Sequence, residues 1–311
     1  MIPDPLLKTL LDHWDDRSAL DWPAIVETYG MGAQPIAGLF PEGGGPSSVW
    51  HRQVCVEALG HLGTLQLVTG WALPFLVVKG VAWGATLWGD SLIRPARDLD
   101  IVIQPGDLPE WQAHLAEAGF VAPRGQTEWL RGRQIVQLHY AGSGGPWLNQ
   151  VLPPWSAFWP RARPLDLGSV RVLHLDPADT LLYLAHHQVF RHAFDHELGW
   201  LDLAGWLRWA PPDAAAGAVR RSTGTHLAGS LSALAWAWRT HWQQAGLAEV
   251  PVMPWAVAPW ARFAISRLGD WRASVGLSLA LAQGSERLAL LRAAPSGWQR
   301  WLVWRDVPVE P

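Results

Sequence analysis

The sequence has a single cysteine among 311 residues, and only 16% of its residues are charged. Cys55 alone excludes an internal disulfide and a cysteine-based zinc site, and we expect it to be a small buried side chain. No basic block is present and the formal net charge is −3, which disfavours a duplex nucleic acid as partner. The apolar stretches are shorter than the roughly 20 residues that span a bilayer, so we expect no membrane partner.

The N-terminal residues also lack the order of a signal peptide, because Asp4, Asp12, Asp15 and Asp16 surround Lys8 where a basic and then an apolar region would stand. A cytoplasmic location is therefore the default expectation. Hydrophobic residues make up 49% of the chain, a composition typical of a compact folded protein.

Tryptophan is abundant, with 23 residues in the chain. Many of them are three or four positions apart, as are Trp206 and Trp209. This spacing favours large side chains that fill the space between helices over a surface that stacks on bases.

The hydrophobic pattern divides the chain into three segments. Residues 1–70 are predicted to form a helical segment, residues 71–145 a core with the order β-α-β-α-β-β, and residues 146–311 a mainly helical domain. The fold class is therefore α+β, with a small mixed sheet between helical segments. The predicted core elements are strands at Phe75–Val78 and Asp98–Ile103, a helix at Leu108–Ala118 that ends at Gly119, and a hairpin of Glu128–Arg131 with Gln134–Tyr140.

Asp98-Leu99-Asp100 is the most informative motif. Alternation along a strand places both carboxylates on one face, close enough to share a divalent cation. Mg²⁺ or Mn²⁺ is the expected cofactor, because these ions combine a few carboxylates with substrate phosphates. The predicted partner is therefore a nucleoside triphosphate.

Positive charge and a helix N-terminus lie near this motif in the sequence. Gly80 ends the first strand and would let the next helix approach the phosphates. Lys79, Arg94 and Arg97 are near enough to bind them as well. We therefore predict a nucleotide-binding site made by these four residues.

A second group of candidates is the histidine cluster that follows residue 185. His192 and His196 are spaced to share one helical face, as zinc ligands can be. A zinc site or a helical ribonuclease is one interpretation, and histidines hydrogen-bonded over the core are the other, because no His-Glu-x-x-His motif occurs. The cluster comprises His186, His187, His192 and His196.

The core motifs together resemble a known family, the uncharacterised nucleotidyltransferases of the DNA polymerase beta superfamily. The shared motifs are Val77-Val78-Lys79-Gly80, Arg94, Asp98-Leu99-Asp100, Gly119-Phe120 and Gln137-Leu138-His139. The resemblance spans about residues 20–210.

The resemblance implies transfer of a nucleoside monophosphate from a nucleoside triphosphate to an acceptor, a small molecule, peptide or protein. Asp98 and Asp100 would be the catalytic metal ligands, and Lys79 and Gly80 would lie against the triphosphate. Arg94 would steady the loop or a phosphate, while His139 would support the third strand. The resemblance also implies histidines at the acceptor side of the site, which would be His139, His187 and His192.

One position departs from the family pattern. Gln137 occupies the place of the third catalytic carboxylate, and glutamine is a weaker ligand that cannot act as a base. Glu128 could replace this carboxylate only if the strand register brings it beside Asp100; otherwise it is an exposed strand residue. The alternative function is a catalytically degenerate module that binds a nucleotide or a partner.

Overall fold

The computed structural model describes residues 46–123, 127–140, 155–191, 197–223, 225–241, 243–244 and 246–252, together with Lys8 and Asp12. Helices and strands alternate in its first part and helices predominate in its second. In chain order the elements are α1 (Pro46–Thr69), β1 (Phe75–Val78), α2 (Gly80–Leu87), β2 (Leu99–Ile103), α3 (Leu108–Glu117), β3 (Glu128–Arg131), β4 (Gln134–His139), β5 (Arg163–Leu167), β6 (Val170–His174), α4 (Pro177–His186), α5 (Glu197–Trp209), α6 (Ala214–Ser222) and α7 (His226–Trp236).

The strands form one mixed sheet of six in the order β3-β4-β2-β1-β6-β5. β1 pairs antiparallel with β2 and parallel with β6, and β2 pairs parallel with β4. The α+β class and the mixed sheet are confirmed. The sheet also extends past residue 145, because β5 and β6 come from residues 163–174.

β5 was not predicted from the sequence, in which residues 151–164 form a proline-rich stretch. It is an edge strand that pairs only with β6 in the described sheet. Pro164 lies within it, and proline is tolerated in a sheet mainly at an edge. Its first two residues are exposed, so the alternation that marks a half-buried strand is weak.

The two faces of the sheet have separate cores. Leu99, Ile101 and Ile103 of β2 point to one face and pack with Leu65 of α1 and Trp111 of α3. Val102, two residues after Asp100, points to the other face. That second core consists mainly of the C-terminal helices, and side chains of α4, α5 and α7 fill it. The side of β2 that carries Asp100 therefore faces the C-terminal helices.

The end of α3 shows how the sequence specifies local structure. Gly119 has a φ of 82°, a conformation that glycine adopts without steric cost. The Gly119 amide donates to Ala116 O, and the Phe120 amide donates to Leu115 O. These two bonds are the Schellman arrangement, and the predicted end of the helix at Gly119 is confirmed.

The helical segments predicted at 1–70 and 146–311 are described only in part. Apart from Lys8 and Asp12, residues 1–45 lie outside the described residues, as do residues 253–311. In the part of the chain that the structure describes, no helix has both the length and the apolar character that crossing a membrane requires.

The N-terminus of α4 is held by a buried ion network. Asp176 accepts a hydrogen bond from the Asp179 amide at 2.8 Å and caps the helix. Arg221 of α6 binds both carboxylates, and Arg161 binds Asp179 with Nε 2.7 Å from Oδ2. The network connects α4 to α6 and to the segment before β5.

Replacing Asp179 with asparagine keeps the shape of the side chain and removes the charge that two arginines share. We expect the free energy of unfolding to fall by about 2 kcal/mol, because a buried partner of charged groups is lost. Asp166→Asn is the matched control, since Asp166 and Arg171 form an exposed pair that contributes less than about 1 kcal/mol. Urea unfolding measures both; equal losses would contradict the role of Asp179.

Candidate functional site

The two aspartates of the motif lie on the same face at the start of β2. Asp100 pairs in register with Val78 of β1 and with Gln137 of β4. Its side chain is 2% exposed. Asp98 lies one residue before the strand and is partly buried. The alternation in the sequence therefore places both carboxylates where it predicts.

Gln137 connects the two carboxylates. One end of its side-chain amide lies 3.2 Å from Asp98 Oδ2 and 3.2 Å from Asp100 Oδ1, and in the orientation that places the nitrogen there the amide donates to both. The two ends of an amide have almost the same shape, so a half turn of the side chain would place its oxygen at the same point. Three oxygens would then converge, which is an arrangement that a hard cation such as Mg²⁺ prefers.

Asp100 has two further partners. Lys79 Nζ lies 2.9 Å from Oδ2, and His139 Nε2 lies 2.6 Å from Oδ1. Burial by itself would raise the pKa of Asp100, but the Lys79 charge and the His139 hydrogen bond outweigh it and hold that pKa well below its usual range. Asp100 is therefore charged throughout the physiological range.

Lys79 reaches Asp100 through an unusual backbone conformation. Its φ is 57° and its ψ is −148°, a region that is almost restricted to glycine. Burial would lower the pKa of Lys79, but the charge of Asp100, the nearby Tyr183 and Asp98 and the hydrogen bond to Asp100 together outweigh burial and raise that pKa. The sequence predicts this side chain against a phosphate, and the structure places it on a metal-ligand candidate.

Asp98 differs from Asp100 in its electrostatics. Burial and the neighbouring charge of Asp100 raise the pKa of Asp98 above its ordinary value. Within the described residues no ion pair of Asp98 is found. A cation bound beside Asp98 would stabilise the ionised form of this carboxylate.

Arg94 forms a bidentate ion pair with a helix of the C-terminal half. Its Nε and Nη2 each lie 2.8 Å from an oxygen of Asp202 on α5. The Trp88 indole donates to the same carboxylate at 3.0 Å. Arg94 is only 5% exposed, so the geometry is that of an anchor for the loop before Asp98. Arg97 on the same loop is exposed.

Glu128 lies in the same row of the sheet as the site. It pairs with Gln137, which in turn pairs with Asp100. Residues paired in this way point to the same face, so Glu128 lies one strand beyond Gln137 and about 10 Å from Asp100 between backbones. Its side chain is partly buried. The register brings Glu128 to the site face, although not directly beside Asp100.

The histidine predictions divide into two groups. His187 stacks on Tyr183 with ring centroids 6.0 Å apart, and Tyr183 is close enough to raise the pKa of Lys79. His187 is therefore near the site. His192 and His196 lie outside the described residues.

His61 of α1 was missed by sequence reasoning. It is 3% exposed, and its Nδ1 has no hydrogen-bond partner in the described part of the chain. The charges of Asp98 and Asp100 act on it, although burial dominates and lowers its pKa. His61 precedes the motif by more than thirty residues on a long helix, and no pattern in the sequence connects the two.

The donor set of the site is small. In the described ranges no group of three or more His, Cys, Asp or Glu side chains is arranged to hold a metal ion. The side-chain donors at the site are two carboxylates and one amide. Such a set fits a cation that takes its other ligands from water or substrate phosphates. Lys79 and His139 leave lone pairs of Asp100 available, since a carboxylate accepts about four bonds.

Arg94→Lys keeps the charge and removes the bidentate geometry. We expect it to lower the free energy of unfolding by about 2 kcal/mol, because a lysine cannot satisfy both oxygens of Asp202. Arg97→Lys is the matched control and should change stability by less than about 0.5 kcal/mol, since Arg97 is exposed. Denaturant unfolding measures both variants. A destabilised Arg97→Lys together with an unchanged Arg94→Lys would exclude the anchor.

Comparison with known proteins adds one finding to this geometry. A family model described as an uncharacterised nucleotidyltransferase matches residues 65–240. No curated protein matches the sequence. The matched region contains the six-stranded sheet, both aspartates, Gln137 and the Arg94–Asp202 pair, and it covers more than half of the chain. The chain therefore belongs to this uncharacterised nucleotidyltransferase family.

Proposed function

We propose that the protein transfers a nucleoside monophosphate from a nucleoside triphosphate to a hydroxyl or phosphate acceptor, with Mg²⁺ or Mn²⁺ held by Asp98 and Asp100. The observation that carries this proposal is the position of the Gln137 amide, 3.2 Å from both carboxylates. It indicates that the two carboxylates converge on one point at the start of β2. Family membership supports nucleotidyl transfer in general.

The triphosphate would bind between the aspartates and α2. Lys79 is the N-cap of α2 and its side chain makes no capping hydrogen bond, so the first amides of the helix donate no hydrogen bond to that side chain. Amides at a helix N-terminus favour anionic oxygens. Gly80 has a φ of 43° and begins the helix without a side chain. Arg97, exposed on the neighbouring loop, is the arginine that we assign to the phosphates.

In the reaction an acceptor oxygen forms a bond to the α-phosphorus, and the bond to the bridging oxygen breaks. Pyrophosphate leaves with the electron pair, and the acceptor loses its proton if it is a hydroxyl. A bound divalent cation would neutralise charge on the phosphates. Gln137 cannot accept the proton. We assign this role to Glu128, because its carboxylate lies on the site face one strand beyond Gln137.

The acceptor would approach from the side of the C-terminal helices. The site face of the sheet points toward α4. His139 and His187 lie on this side, next to the rings of Trp155 and Tyr183. A small molecule, a peptide or a protein side chain is compatible with such a boundary.

A second candidate function is nucleotide binding without transfer. Two observations favour it: Gln137 is neutral, and Asp100 is already paired with Lys79. Such a module would retain metal-dependent nucleotide affinity and release no pyrophosphate. Both candidate functions therefore predict metal-dependent nucleotide binding, and only the transferase predicts pyrophosphate release.

Asp98→Asn tests the binding step. Because Asp98 has a raised pKa and no ion pair within the described residues, the isosteric variant should fold with unchanged or slightly higher stability. Its affinity for a nucleoside triphosphate in Mg²⁺ should fall at least about tenfold, which corresponds to about 1.4 kcal/mol. Isothermal titration calorimetry with and without EDTA measures this. Equal affinity of wild type and variant in Mg²⁺ would exclude a cation at Asp98.

Pyrophosphate release from the four common ribonucleoside triphosphates tests the transfer step. We expect release by the wild type in Mg²⁺, with water as a poor acceptor and with added metabolite extract as a better one. Glu128→Gln should lower the rate at least about tenfold while nucleotide affinity is unchanged, because only proton acceptance is lost.

Glu110→Gln is the matched control for Glu128→Gln, since Glu110 is an exposed glutamate of α3. An equal loss in both variants would contradict the role of Glu128. Absence of release by the wild type, together with release by Gln137→Glu, would favour the binding module over the transferase.

A further inference from the structure

Lys79 differs from an ordinary surface lysine in three respects. Its side chain is only 15% exposed, its ammonium lies 2.9 Å from the buried carboxylate of Asp100, and its backbone occupies a region almost restricted to glycine. Such a conformation is unfavourable for a residue that has a Cβ atom. The surrounding structure therefore holds an ammonium at this point against a local preference.

The backbone conformation explains how the ammonium reaches the site. Val78 pairs with Asp100 and points to the same face. In a regular strand the next residue would point to the opposite face, toward the core formed with α1 and α3. The positive φ of Lys79 breaks this alternation, and the side chain returns to the face of Asp100. A residue at this position with ordinary strand geometry would not contact the aspartates.

The charges at the site limit how many divalent ions it can hold. Sites with two divalent ions hold them about 3.5–4 Å apart, and protein carboxylates share the neutralisation of their charge with substrate phosphates. Here Asp98 and Asp100 supply two negative charges, Gln137 supplies none, and Lys79 supplies one positive charge. One net negative charge remains, which can offset a single divalent ion in part. A second ion beside Asp100 would lie within a few ångströms of the ammonium, and two like charges so close repel strongly in a buried site.

We propose that this site takes one divalent cation, at Asp98, Asp100 and the Gln137 amide oxygen, and that the Lys79 ammonium occupies the position of a second. The inference rests on the proposed function and specifies its metal requirement. Lys79 would neutralise Asp100 and would present a positive charge to the triphosphate. This charge belongs to the protein, so no second metal ion is required. The neutral side chain of Gln137 and the positive charge of Lys79 then both limit the site to one divalent ion.

The number of bound ions tests this inference directly. The full-length protein, saturated with an α,β-methylene analogue of ATP, is titrated with Mn²⁺, and free Mn²⁺ is followed by electron paramagnetic resonance. We expect one Mn²⁺ per chain, lost in Asp98→Asn. Two Mn²⁺ per chain would overturn the single-ion inference and leave the proposed function intact. No Mn²⁺ would overturn the proposed function itself.

Variants of Lys79 test its role as the substitute cation. Lys79→Gly removes the ammonium and relieves the backbone, because glycine adopts a positive φ freely, so this variant should fold. It should bind a second Mn²⁺ or bind the first at least about tenfold more tightly, because the repulsion is gone. Lys79→Arg is the control that keeps the charge and should resemble the wild type in ion number. An unchanged number and affinity in Lys79→Gly would overturn the role of Lys79.

Discussion

The buried charge of Asp100 is the constraint on which the site depends. A carboxylate that is 2% exposed on an inner strand is costly unless its charge is matched and its oxygens are bonded. Lys79 and His139 meet both requirements from opposite neighbours of β2, because one follows β1 and the other ends β4. Their contacts with one carboxylate also connect three adjacent strands, so the charge of the site and the register of the sheet support each other.

The two faces of the sheet carry different kinds of side chain. One face carries only apolar side chains of β2, which pack on α1 and α3. The other carries Asp100, Gln137 and His139 beneath the C-terminal helices. The Arg94–Asp202 pair connects the loop before Asp98 to α5. The position of the metal-ligand candidates is therefore linked to the packing of the C-terminal half, even though none of those ligands belongs to it.

The charges at the site support the proposed roles better than any single motif does. Asp98 and Glu128 make no ion pair in the described part of the chain, whereas Asp100 and Arg94 are both paired. Asp100 can still bind a cation, because a carboxylate accepts about four bonds and keeps lone pairs beside those to Lys79 and His139. These differences support the proposed assignment of the cation to Asp98 and Asp100, of the phosphates to Arg97 and of the acceptor proton to Glu128.

Local features were predictable from the sequence because short patterns determine them. The strand of Asp98 and Asp100 follows from alternation, and the end of α3 follows from the tolerance of Gly119 for positive φ. Long-range partners were not predictable. Arg94 matches a phosphate ligand by composition, but its partner Asp202 lies 108 positions away and only packing brings them together.

The sequence by itself predicted two carboxylates on one side of the chain, since side chains two residues apart in extended backbone point the same way. Only the tertiary structure decided what surrounds them. Lys79 would point away from Asp100 in a regular strand, and its positive φ at the junction of β1 and α2 turns the side chain back toward Asp100. Glu128 reaches the site face because of one register among those that its sequence allows. Pairing between distant strands selects that register, and no local pattern encodes it.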